Sequence, residues 1–304
     1  MSRPKQPRKP APPPGLVVVD KPAGMTSHDV VARARRIMGT RKVGHAGTLD
    51  PMATGVLVLG IERATKLLGH LALDRKTYLA TITLGASTTT DDAEGEFGDR
   101  ADAAQLAAVT DEAIAAGIAV LSGDIQQVPS AVSAVKIDGK RAYARVRAGE
   151  DVVIPSRPVT VYRFDLLGTR REEHGIELDV VVECSSGTYV RALARDLGAG
   201  LGIGGHLSAL RRTTVGPFTL AKARTLEKLE ESPELSFDLD SAVAAAFPRR
   251  DVDQATARAV QFGQKVAAAG IDGTYGVFGP DGRVLALAAD EAGTTRSVVV
   301  LLPA

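Results

Sequence analysis

The stretch Lys42-Val43-Gly44-His45-Ala46-Gly47-Thr48-Leu49-Asp50-Pro51-Met52-Ala53-Thr54-Gly55 lies between a helical pattern and the apolar run Val56 to Leu59. Its glycines allow positive φ or a close approach of the backbone to a ligand. Because a proline follows Asp50, that residue is expected in an extended or turn conformation rather than inside a helix. Taken alone, the stretch fits a catalytic carboxylate and equally an aspartate that only caps a tight turn.

Residues on both sides of this loop predict a mixture of strands and helices. Short β-branched or alternating runs predict strands, and segments with a 3.6-residue apolar period predict helices. The predicted strands are residues 16–19, 56–59, 78–84, 159–167, 176–184 and 213–220. One predicted helix runs from an N-cap at Ser27 to about Met38, and a second starts near Glu62. Two more cover residues 103–121 and 189–197. Because strands and helices do not alternate strictly, the pattern indicates an α+β fold with a largely antiparallel mixed central sheet flanked by helices.

The length of 304 residues is sufficient for two domains. Residues 1–15 are basic and proline-rich and are expected to be a disordered tail. A main domain is predicted for residues 16–248, with residues 123–157 as a basic excursion from its sheet. Residues 249–304 are expected to form a small β-rich domain, near the lower size limit for independent stability. Its strand candidates are Tyr275–Phe278, Val284–Leu287 and Ser297–Leu302.

Composition excludes several classes of protein. No apolar run approaches the ~18 residues that a membrane helix needs, and the N-terminus lacks the apolar core of a signal peptide. We therefore expect a cytoplasmic protein that contacts no membrane. A single cysteine, Cys184, rules out an intramolecular disulfide framework. The net charge of +1 hides an uneven distribution, since the first fifty residues hold ten Lys and Arg against three Asp. Such segregation favours a polyanionic ligand, although basic tails also occur on proteins that bind no polyanion.

Three familiar kinds of site are not supported by the motifs. The glycines of Gly200 to Gly205 follow a helical pattern, whereas a dinucleotide site needs them directly after a strand. The loop around Asp50 lacks the Gly-Lys-Ser/Thr of a phosphate loop, and the five histidines lack metal-ligand spacing. We interpret residues 88–95, which are polar, as a turn or a mobile surface loop. What remains is a carboxylate in a glycine-rich loop, Arg191 after Ser-Gly-Thr-Tyr-Val, and a basic face.

Five segments, in order along the chain, resemble the bacterial TruB class of pseudouridine synthases. The glycine-rich loop from Gly44 to Gly55 is similar to the signature of that class. The other four segments are Asp20-Lys21-Pro22-Ala23-Gly24-Met25-Thr26-Ser27, Lys76-Thr77-Tyr78, Cys184-Ser185-Ser186-Gly187-Thr188-Tyr189-Val190-Arg191 and Gly205-His206-Leu207-Ser208-Ala209-Leu210-Arg211-Arg212. The similarity covers roughly residues 15 to 245 without interruption, so chance is a poor explanation.

The resemblance implies a fold, an activity and a substrate. It implies the pseudouridine-synthase fold followed by a PUA-like RNA-binding domain at residues 249–304, an assignment that rests only on position and size. The implied reaction isomerises a uridine in the T-loop of tRNA, at position 55 in tRNA numbering, to pseudouridine. No cofactor and no metal are implied, and the expected partner is the T-arm stem-loop of tRNA, bound by a monomer.

Three residues carry the expected chemistry. Asp50 is the implied nucleophile, a task that suits a carboxylate because it forms and later releases a covalent bond. The resemblance pairs it with Arg191, whose planar guanidinium is able to hold a carboxylate through two hydrogen bonds. A uridine within a folded loop must be flipped out to be reached, and Tyr78 is expected to stack on the extruded base. Attack at C6 of uracil, attack at C1′ of ribose, and elimination to a glycal are all compatible with this set.

The remaining implied residues bind or support the substrate. His45 is expected near the position that the flipped uridine leaves, Leu210 in the uracil pocket, and Tyr189 as a wall of that pocket, because a phenol is a weak base at neutral pH. Lys21 is expected either to support the loop or to contact phosphate. Residues 123–157 resemble a thumb-like insertion that grips the T-arm, in which basic side chains would contact phosphates. These are Lys136, Lys140, Arg141 and Arg145.

Two other functions stay open at this stage. The first is a tRNA-folding chaperone in which catalysis is secondary, and the second is a guide-RNA-dependent synthase of the dyskerin type. The combination of Asp50, Tyr78 and Arg191 argues against a purely non-catalytic protein but is compatible with a dual role. The thumb-like segment argues against the guide-dependent alternative.

Overall fold

The computed structural model describes residues 11–72, 75–130, 136–137, 140–141 and 154–303. Over these residues the chain is a mixture of strands and helices, so the predicted α+β class is confirmed. Its contacts divide it into two compact units. The first unit comprises Met1–Pro51, Gly55–Ala72 and Gly216–Ala304, and the second comprises Met52–Thr54 and Leu73–Val215.

The elements of the described residues are numbered in chain order. The first strands are β1 (Gly15–Lys21), β2 (Val43–His45), β3 (Thr54–Ile61), β4 (Lys76–Leu84), β5 (Ala86–Thr88), β6 (Phe97–Arg100) and β7 (Gly123–Gln127). The later strands are β8 (Lys136–Ile137), β9 (Lys140–Arg141), β10 (Arg157–Glu172), β11 (Gly175–Cys184), β12 (Gly205–Val215), β13 (Phe218–Thr219), β14 (Phe237–Asp238), β15 (Arg249–Asp251), β16 (Val266–Ala267), β17 (Tyr275–Phe278), β18 (Val284–Glu291) and β19 (Thr294–Val300). The helices are α1 (Ser27–Ile37), α2 (Leu68–Leu71), α3 (Ala103–Ala108), α4 (Asp111–Val120), α5 (Val190–Gly200), α6 (Leu226–Glu231), α7 (Leu239–Ala246) and α8 (Gln254–Gln261), with 3-10 helices at Glu62–Leu67 and Leu220–Lys222.

In the first unit, β1 is buried on both faces. Residues 16–19 have no exposed surface, and β1 runs antiparallel to β3 along its whole length, from Gly15 opposite Ile61 to Lys21 opposite Gly55. A strand covered on both sides needs a continuous apolar run rather than an alternating one, which this sequence supplies. The strands predicted at residues 16–19 and 56–59 are therefore confirmed. β2 pairs with β3, and this hairpin carries the glycine-rich loop between its strands.

Helix α1 begins one residue away from the predicted position. Its N-cap is Thr26, whose hydroxyl accepts from the Asp29 backbone N–H, while the Asp29 carboxylate accepts from the Thr26 N–H. This reciprocal pair is a capping box and satisfies two backbone donors that the helix itself leaves unbonded. The prediction of Ser27 as the N-cap was wrong because either hydroxyl residue fits the pattern. The Ser27 side chain is buried and bonds elsewhere.

The C-terminal part of the first unit forms a separate five-stranded sheet. Its order is β15-β17-β18-β19-β16, with β15 parallel to β17 and the other pairs antiparallel. All three predicted strands are present, the second lengthened to Glu291 and the third shifted to residues 294–300. Helix α8, which the sequence analysis did not predict, packs Ala257 and Val260 against the same core. The expectation of a β-rich C-terminal part is confirmed.

A polar network within this sheet predicts a pH dependence. The Asp290 carboxylate accepts from the hydroxyl of Tyr275 at 2.6 Å, the hydroxyl of Thr295 at 2.8 Å and the Gly270 N–H at 2.7 Å. The Tyr275 hydrogen bond, aided by the others, lowers the pKa of Asp290 from 3.8 to about 2. A lowered carboxyl pKa stabilises the fold above the unfolded value, and this contribution disappears as the pH falls from about 4 to about 2.

We therefore expect Asp290→Asn to reduce the free energy of unfolding at pH 7 and to make it less dependent on pH below pH 4. Urea unfolding of the variant and of wild type at pH 7, 4 and 3 measures this difference. Asp272→Asn is the matched control, because Asp272 is an exposed carboxylate in the same part of the chain. A variant that loses as much stability between pH 7 and pH 3 as wild type would contradict the assignment.

The second unit is built on the antiparallel sheet β12-β4-β11-β10-β7. Strand β4 alternates as predicted, with Tyr78, Ala80, Ile82 and Leu84 buried and Leu79 largely exposed. Because antiparallel pairs make up this whole sheet, the largely antiparallel prediction is confirmed. Gln127 lies opposite Arg157 in the β7/β10 pair, so the chain between them leaves and re-enters the sheet at adjacent positions. The basic helix expected around residue 142 lies outside the described residues.

Two predictions in this unit need correction. The segment 103–121 is two helices, α3 and α4, because Thr110 is the N-cap of α4 and accepts from the Ala113 N–H at 3.2 Å. Alanine content alone predicted one continuous helix. Residues 88–95 were interpreted as a turn or a mobile surface loop, yet Thr88 and Asp92 are buried. This loop pairs with β12, since the Ala93 N–H donates to the Leu207 carbonyl and the Leu207 N–H to the Asp91 carbonyl.

Glycines in the last turn of α5 and in the connector after it allow the helix to pack closely on the sheet. A Cβ on Gly198 would lie 2.2 Å from the backbone of Gly204 and of Gly205, and Gly204 has a φ of +71°. The connector interpretation of this glycine run is confirmed. Strand β12, predicted to start at Thr213, already starts at Gly205, because the glycine run ends within the strand. No helix among the described residues is long and apolar enough to cross a membrane.

Candidate active site

The glycine-rich loop has its backbone conformation set by two of its glycines. Gly47 has a φ of 84° and Gly55 a φ of 100°, values that residues with a Cβ rarely adopt. The loop leaves β2 after His45, which is half-buried and packs edge-to-face on the exposed ring of His28 with 5.5 Å between ring centroids. It enters β3 at Thr54 after Asp50, which is half-buried. The positive φ predicted for this stretch is therefore present at both ends of the segment that carries Asp50.

The residue before Asp50 is fixed by Ser27. The Ser27 hydroxyl accepts from the Leu49 N–H at 2.9 Å and donates to the Leu49 carbonyl at 3.1 Å, and both side chains are buried. One side chain therefore bonds both polar groups of the residue next to Asp50. The sequence analysis missed this role, because a serine at the start of a helix is usually read as a cap.

The residue after Asp50 is fixed by Lys21. The fully buried Lys21 ammonium donates to the carbonyls of Pro22, Met25 and Pro51, at 2.8, 2.7 and 3.1 Å. A buried ammonium needs such acceptors, because leaving water is costly for a charge. Of the two roles expected for Lys21, these hydrogen bonds favour the first, which is to hold the loop in place. No part of Lys21 is exposed, which disfavours its expected contact with phosphate.

In the second unit, Tyr78 and Leu210 lie on neighbouring strands and on the same face of the sheet. Tyr78 is opposite Arg212 and Leu210 is opposite Ala80 in the β4/β12 pair, and residues that pair directly point to the same side. Tyr78 is 7% exposed and Leu210 is 8% exposed. The Arg212 side chain beside Tyr78 is 1% exposed, which is rare for an arginine, and the sequence analysis did not single it out.

Arg191 forms a buried ion pair that was not predicted. It is the second residue of α5 and is 5% exposed. Its Nη1 atom donates to the Thr90 carbonyl at 2.8 Å and lies 3.3 Å from the Asp92 carboxylate, which is also buried. One turn later, Arg195 pairs with Asp91 at 3.1 Å. The loop that had been interpreted as a surface turn thus supplies the acidic partners of two arginines on α5.

Of the four basic residues expected in the thumb-like insertion, Lys136, Lys140 and Arg141 are described only by their backbone, and Arg145 lies outside the described residues. Lys136 lies in β8 and Arg141 in β9, which pair antiparallel with Lys136 opposite Arg141. Their side chains, like all of residues 142–153, lie outside the described residues. Their expected contact with RNA therefore stays a prediction.

Leu210 also lines an open cavity of about 540 Å³ within the second unit. The described lining includes Met52, Leu79 and Thr81 but none of Tyr78, Tyr189 and Arg191. The structure thus places Tyr78 and Leu210 on one face of a sheet. It pairs Arg191 with Asp92, and it fixes the backbone of the residues on both sides of Asp50. Among the described residues, no group of three or more His, Cys, Asp or Glu is placed to hold a metal ion.

Comparison with known proteins assigns this architecture to a class. A chain of the solved "Crystal Structure of a Cbf5-Nop10-Gar1 Complex" matches 95% of this chain with a TM-score of 0.72 and 26% identity, over 85% of its own length. The protein has the pseudouridine-synthase fold. Three family models match in succession: "TruB family pseudouridylate synthase (N terminal domain)" at residues 35–190, "tRNA pseudouridylate synthase B C-terminal domain" at 191–242, and "tRNA Pseudouridine synthase II, C terminal" at 247–302.

Two curated relatives extend this match to nearly the whole chain. The tRNA pseudouridine synthase B of Mycolicibacterium paratuberculosis is 61% identical over 292 residues, which is 96% of this chain and 99% of the relative. That of Nocardia farcinica is 60% identical over 289 residues, 95% of this chain and 94% of the relative. The chain belongs to the TruB family of pseudouridylate synthases.

Proposed function

We propose that the protein converts uridine 55 in the T-loop of tRNA to pseudouridine, with Asp50 as the nucleophile. The observation that carries this proposal is the fixed geometry around Asp50. Ser27 holds the peptide groups of Leu49 on one side, and Lys21 holds the carbonyl of Pro51 on the other. Fixing the backbone on both sides of Asp50 restricts the positions that its carboxylate can take before the substrate arrives, so that less freedom is lost when it reacts.

Arg191 is the proposed cation of the reaction. The bond between C1′ and N1 of uracil breaks, the base turns while it stays bound, and a bond from C1′ to C5 forms. The C5 proton is lost and N1 takes up a proton, so the product is an isomer of the substrate. A covalent bond between Asp50 and the substrate forms and breaks in this sequence, so the negative charge on Asp50 changes twice. An arginine fixed by Asp92 and Thr90 supplies a positive charge without rearrangement at that moment.

Tyr78 is the proposed stacking partner of the flipped uridine. Its ring lies on the same sheet face as Leu210, and the two side chains provide an aromatic and an aliphatic surface for a planar base. We further propose that residues 123–157 and the C-terminal sheet bind the tRNA itself. The proposed substrate places the reaction in the cytoplasm, and one chain supplies every residue named here, so a monomer suffices.

Two observations bear on the rival functions. The relatives that are about 60% identical are named tRNA synthases, whereas the solved chains in H/ACA complexes, such as the "Structure of H/ACA RNP bound to a substrate RNA containing 2'-deoxyuridine", are 25% identical. This difference supports an enzyme that recognises tRNA without a guide. A chaperone role is separate, and rescue of a deletion strain by Asp50→Asn protein would favour it.

The experiment that tests the proposal uses the purified protein and an unmodified T-arm stem-loop, with no guide RNA. We expect one pseudouridine at position 55, mapped by primer extension after carbodiimide modification. A stem-loop with cytidine at that position is the matched control and should remain unmodified. Modification at another uridine, or none without added guide RNA, would refute the proposed substrate.

A further inference from the structure

Gln127 is a buried polar residue that no function assigned so far has used. It is the last residue of β7 and is 1% exposed, whereas its neighbour Gln126 is exposed. A buried side-chain amide is costly unless hydrogen bonds replace those it made with water. The position of its hydrogen-bond partners therefore indicates what Gln127 does.

Both partners of Gln127 belong to Tyr189. The Tyr189 N–H donates to the Gln127 Oε1 at 2.8 Å, and the Gln127 Nε2 donates to the Tyr189 carbonyl at 3.1 Å. One side chain therefore fixes the backbone of Tyr189 at both its N–H and its carbonyl. The two residues come from β7 and from the start of α5, far apart in the sequence.

Gln127 thus bonds the N-cap residue of a helix that has no side-chain cap. Tyr189 is the N-cap of α5 and has no side-chain capping hydrogen bond, whereas the N-caps Asp102 of α3 and Thr110 of α4 both have one. Tyrosine has no oxygen close enough to its own backbone to cap a helix. Gln127 instead fixes the backbone of Tyr189, which lies two residues before Arg191 at the start of α5.

The adjacent residues reinforce this link between β7, β10 and α5. The Arg157 Nη2 donates to the Gly187 carbonyl at 2.6 Å, and its guanidinium lies 4.7 Å from the centroid of the Tyr189 ring. The Arg195 Nη2 donates to the Val128 carbonyl at 2.8 Å. Val128 is thus bonded to α5 itself, and Arg157 is bonded to Gly187 just before α5.

We propose that Gln127 is a positioning residue, which fixes the start of α5 and thereby the guanidinium of Arg191. This inference rests on the proposed function, because it needs Arg191 to act in the reaction. Gln127 has almost no exposed surface, so it does not itself contact RNA. Its effect is on the rate of the chemical step, since misplacing a charged group by about 1 Å costs on the order of 10²-fold in rate.

The test measures turnover and binding separately in Gln127→Ala and in Gln127→Met, which keeps the side-chain volume but removes both hydrogen bonds. In single-turnover reactions with saturating enzyme, we expect the rate of pseudouridine formation to fall roughly 10- to 100-fold. The Kd for tRNA from filter binding should stay within about threefold of wild type. Gln105→Ala is the matched control, because it removes an exposed glutamine of α3 and its hydrogen bond to the Asp102 N–H, outside residues 123–157, and it should match wild type in rate and affinity.

Two further measurements separate positioning from a general loss of structure. Hydrogen exchange of the Tyr189–Leu193 amides should increase in both Gln127 variants, while exchange in β4 and β11 should be unchanged. In an Arg191→Lys background, adding Gln127→Met should slow the reaction much less than it does in wild type, because both changes act on the same group.

Each outcome has a defined meaning. Gln127 variants with wild-type rates, or with equal losses of rate and affinity, would refute the positioning role. The positioning role would also be refuted if the fold losses in rate caused by Gln127→Met and by Arg191→Lys multiplied in full in the double variant. The wild-type reaction in the same series tests the proposed function separately, since absence of pseudouridine from that sample would count against the function and not against Gln127.

Discussion

Asp50→Asn is expected to abolish pseudouridine formation, with a single-turnover rate lower by at least on the order of 10⁴-fold, because an amide is too weak a nucleophile to replace a carboxylate. Binding of tRNA should change by less than about threefold, since a single half-buried side chain adds little to a large RNA interface. Release of tritium from uracil labelled at C5 measures the rate, and filter binding measures the affinity.

The control for Asp50→Asn is an aspartate-to-asparagine change at a residue whose charge has no expected part in catalysis. Asp102 is the exposed N-cap of α3, and asparagine caps a helix about as well as aspartate. Asp102→Asn should therefore match wild type in rate, affinity and thermal stability. Turnover near wild type for Asp50→Asn would exclude Asp50 as the nucleophile. A parallel loss of affinity and rate would show that Asp50 mainly binds RNA.

Local rules were sufficient for most of the strands. The apolar run at residues 16–19 and the alternation at residues 78–84 both correspond to strands with the predicted burial. Hydrophobic periodicity records which faces are covered, so it succeeds wherever a strand has one buried face or two. It failed at Gly205, where glycines that permit close helix packing also begin a strand, and at Thr110, where a single cap divides a helical pattern.

The candidate site was predictable only in part, for a different reason. Asp50 lies in a loop whose glycines and proline mark it in the sequence. The partners that fix the site, Ser27, Asp92 and Gln127, are recognised only by their burial and by contacts with residues distant in the chain. Such contacts leave no periodic signal. A polar residue in a polar stretch, such as Asp92 after Thr88 to Asp91, is read as a surface residue until the fold is known.

Arg191→Ala is the second change expected to have a large effect. Removing a preorganised group that stabilises developing charge costs on the order of 10²- to 10³-fold in rate. We expect such a loss in single-turnover pseudouridine formation, with affinity for tRNA within about threefold of wild type, because Arg191 is only 5% exposed. Asp92→Asn should reduce the rate less, since it leaves the guanidinium in place but weakens the hold on its Nη1 atom.

Arg195→Ala separates the chemistry of Arg191 from the stability of the loop that both arginines hold. Arg195 lies one turn further along α5 and pairs with Asp91 of the same loop, so its loss loosens that loop without removing the proposed cation. We expect Arg195→Ala to lower the thermal unfolding midpoint measurably, while its rate of pseudouridine formation remains far above that of Arg191→Ala. If the two variants instead lost rate in proportion to stability, the effect of Arg191 would be explained by packing of residues 88–95. An Arg191→Ala variant with a stable fold, intact tRNA binding and a rate hundreds of times slower is accounted for only by a charge that acts during the reaction.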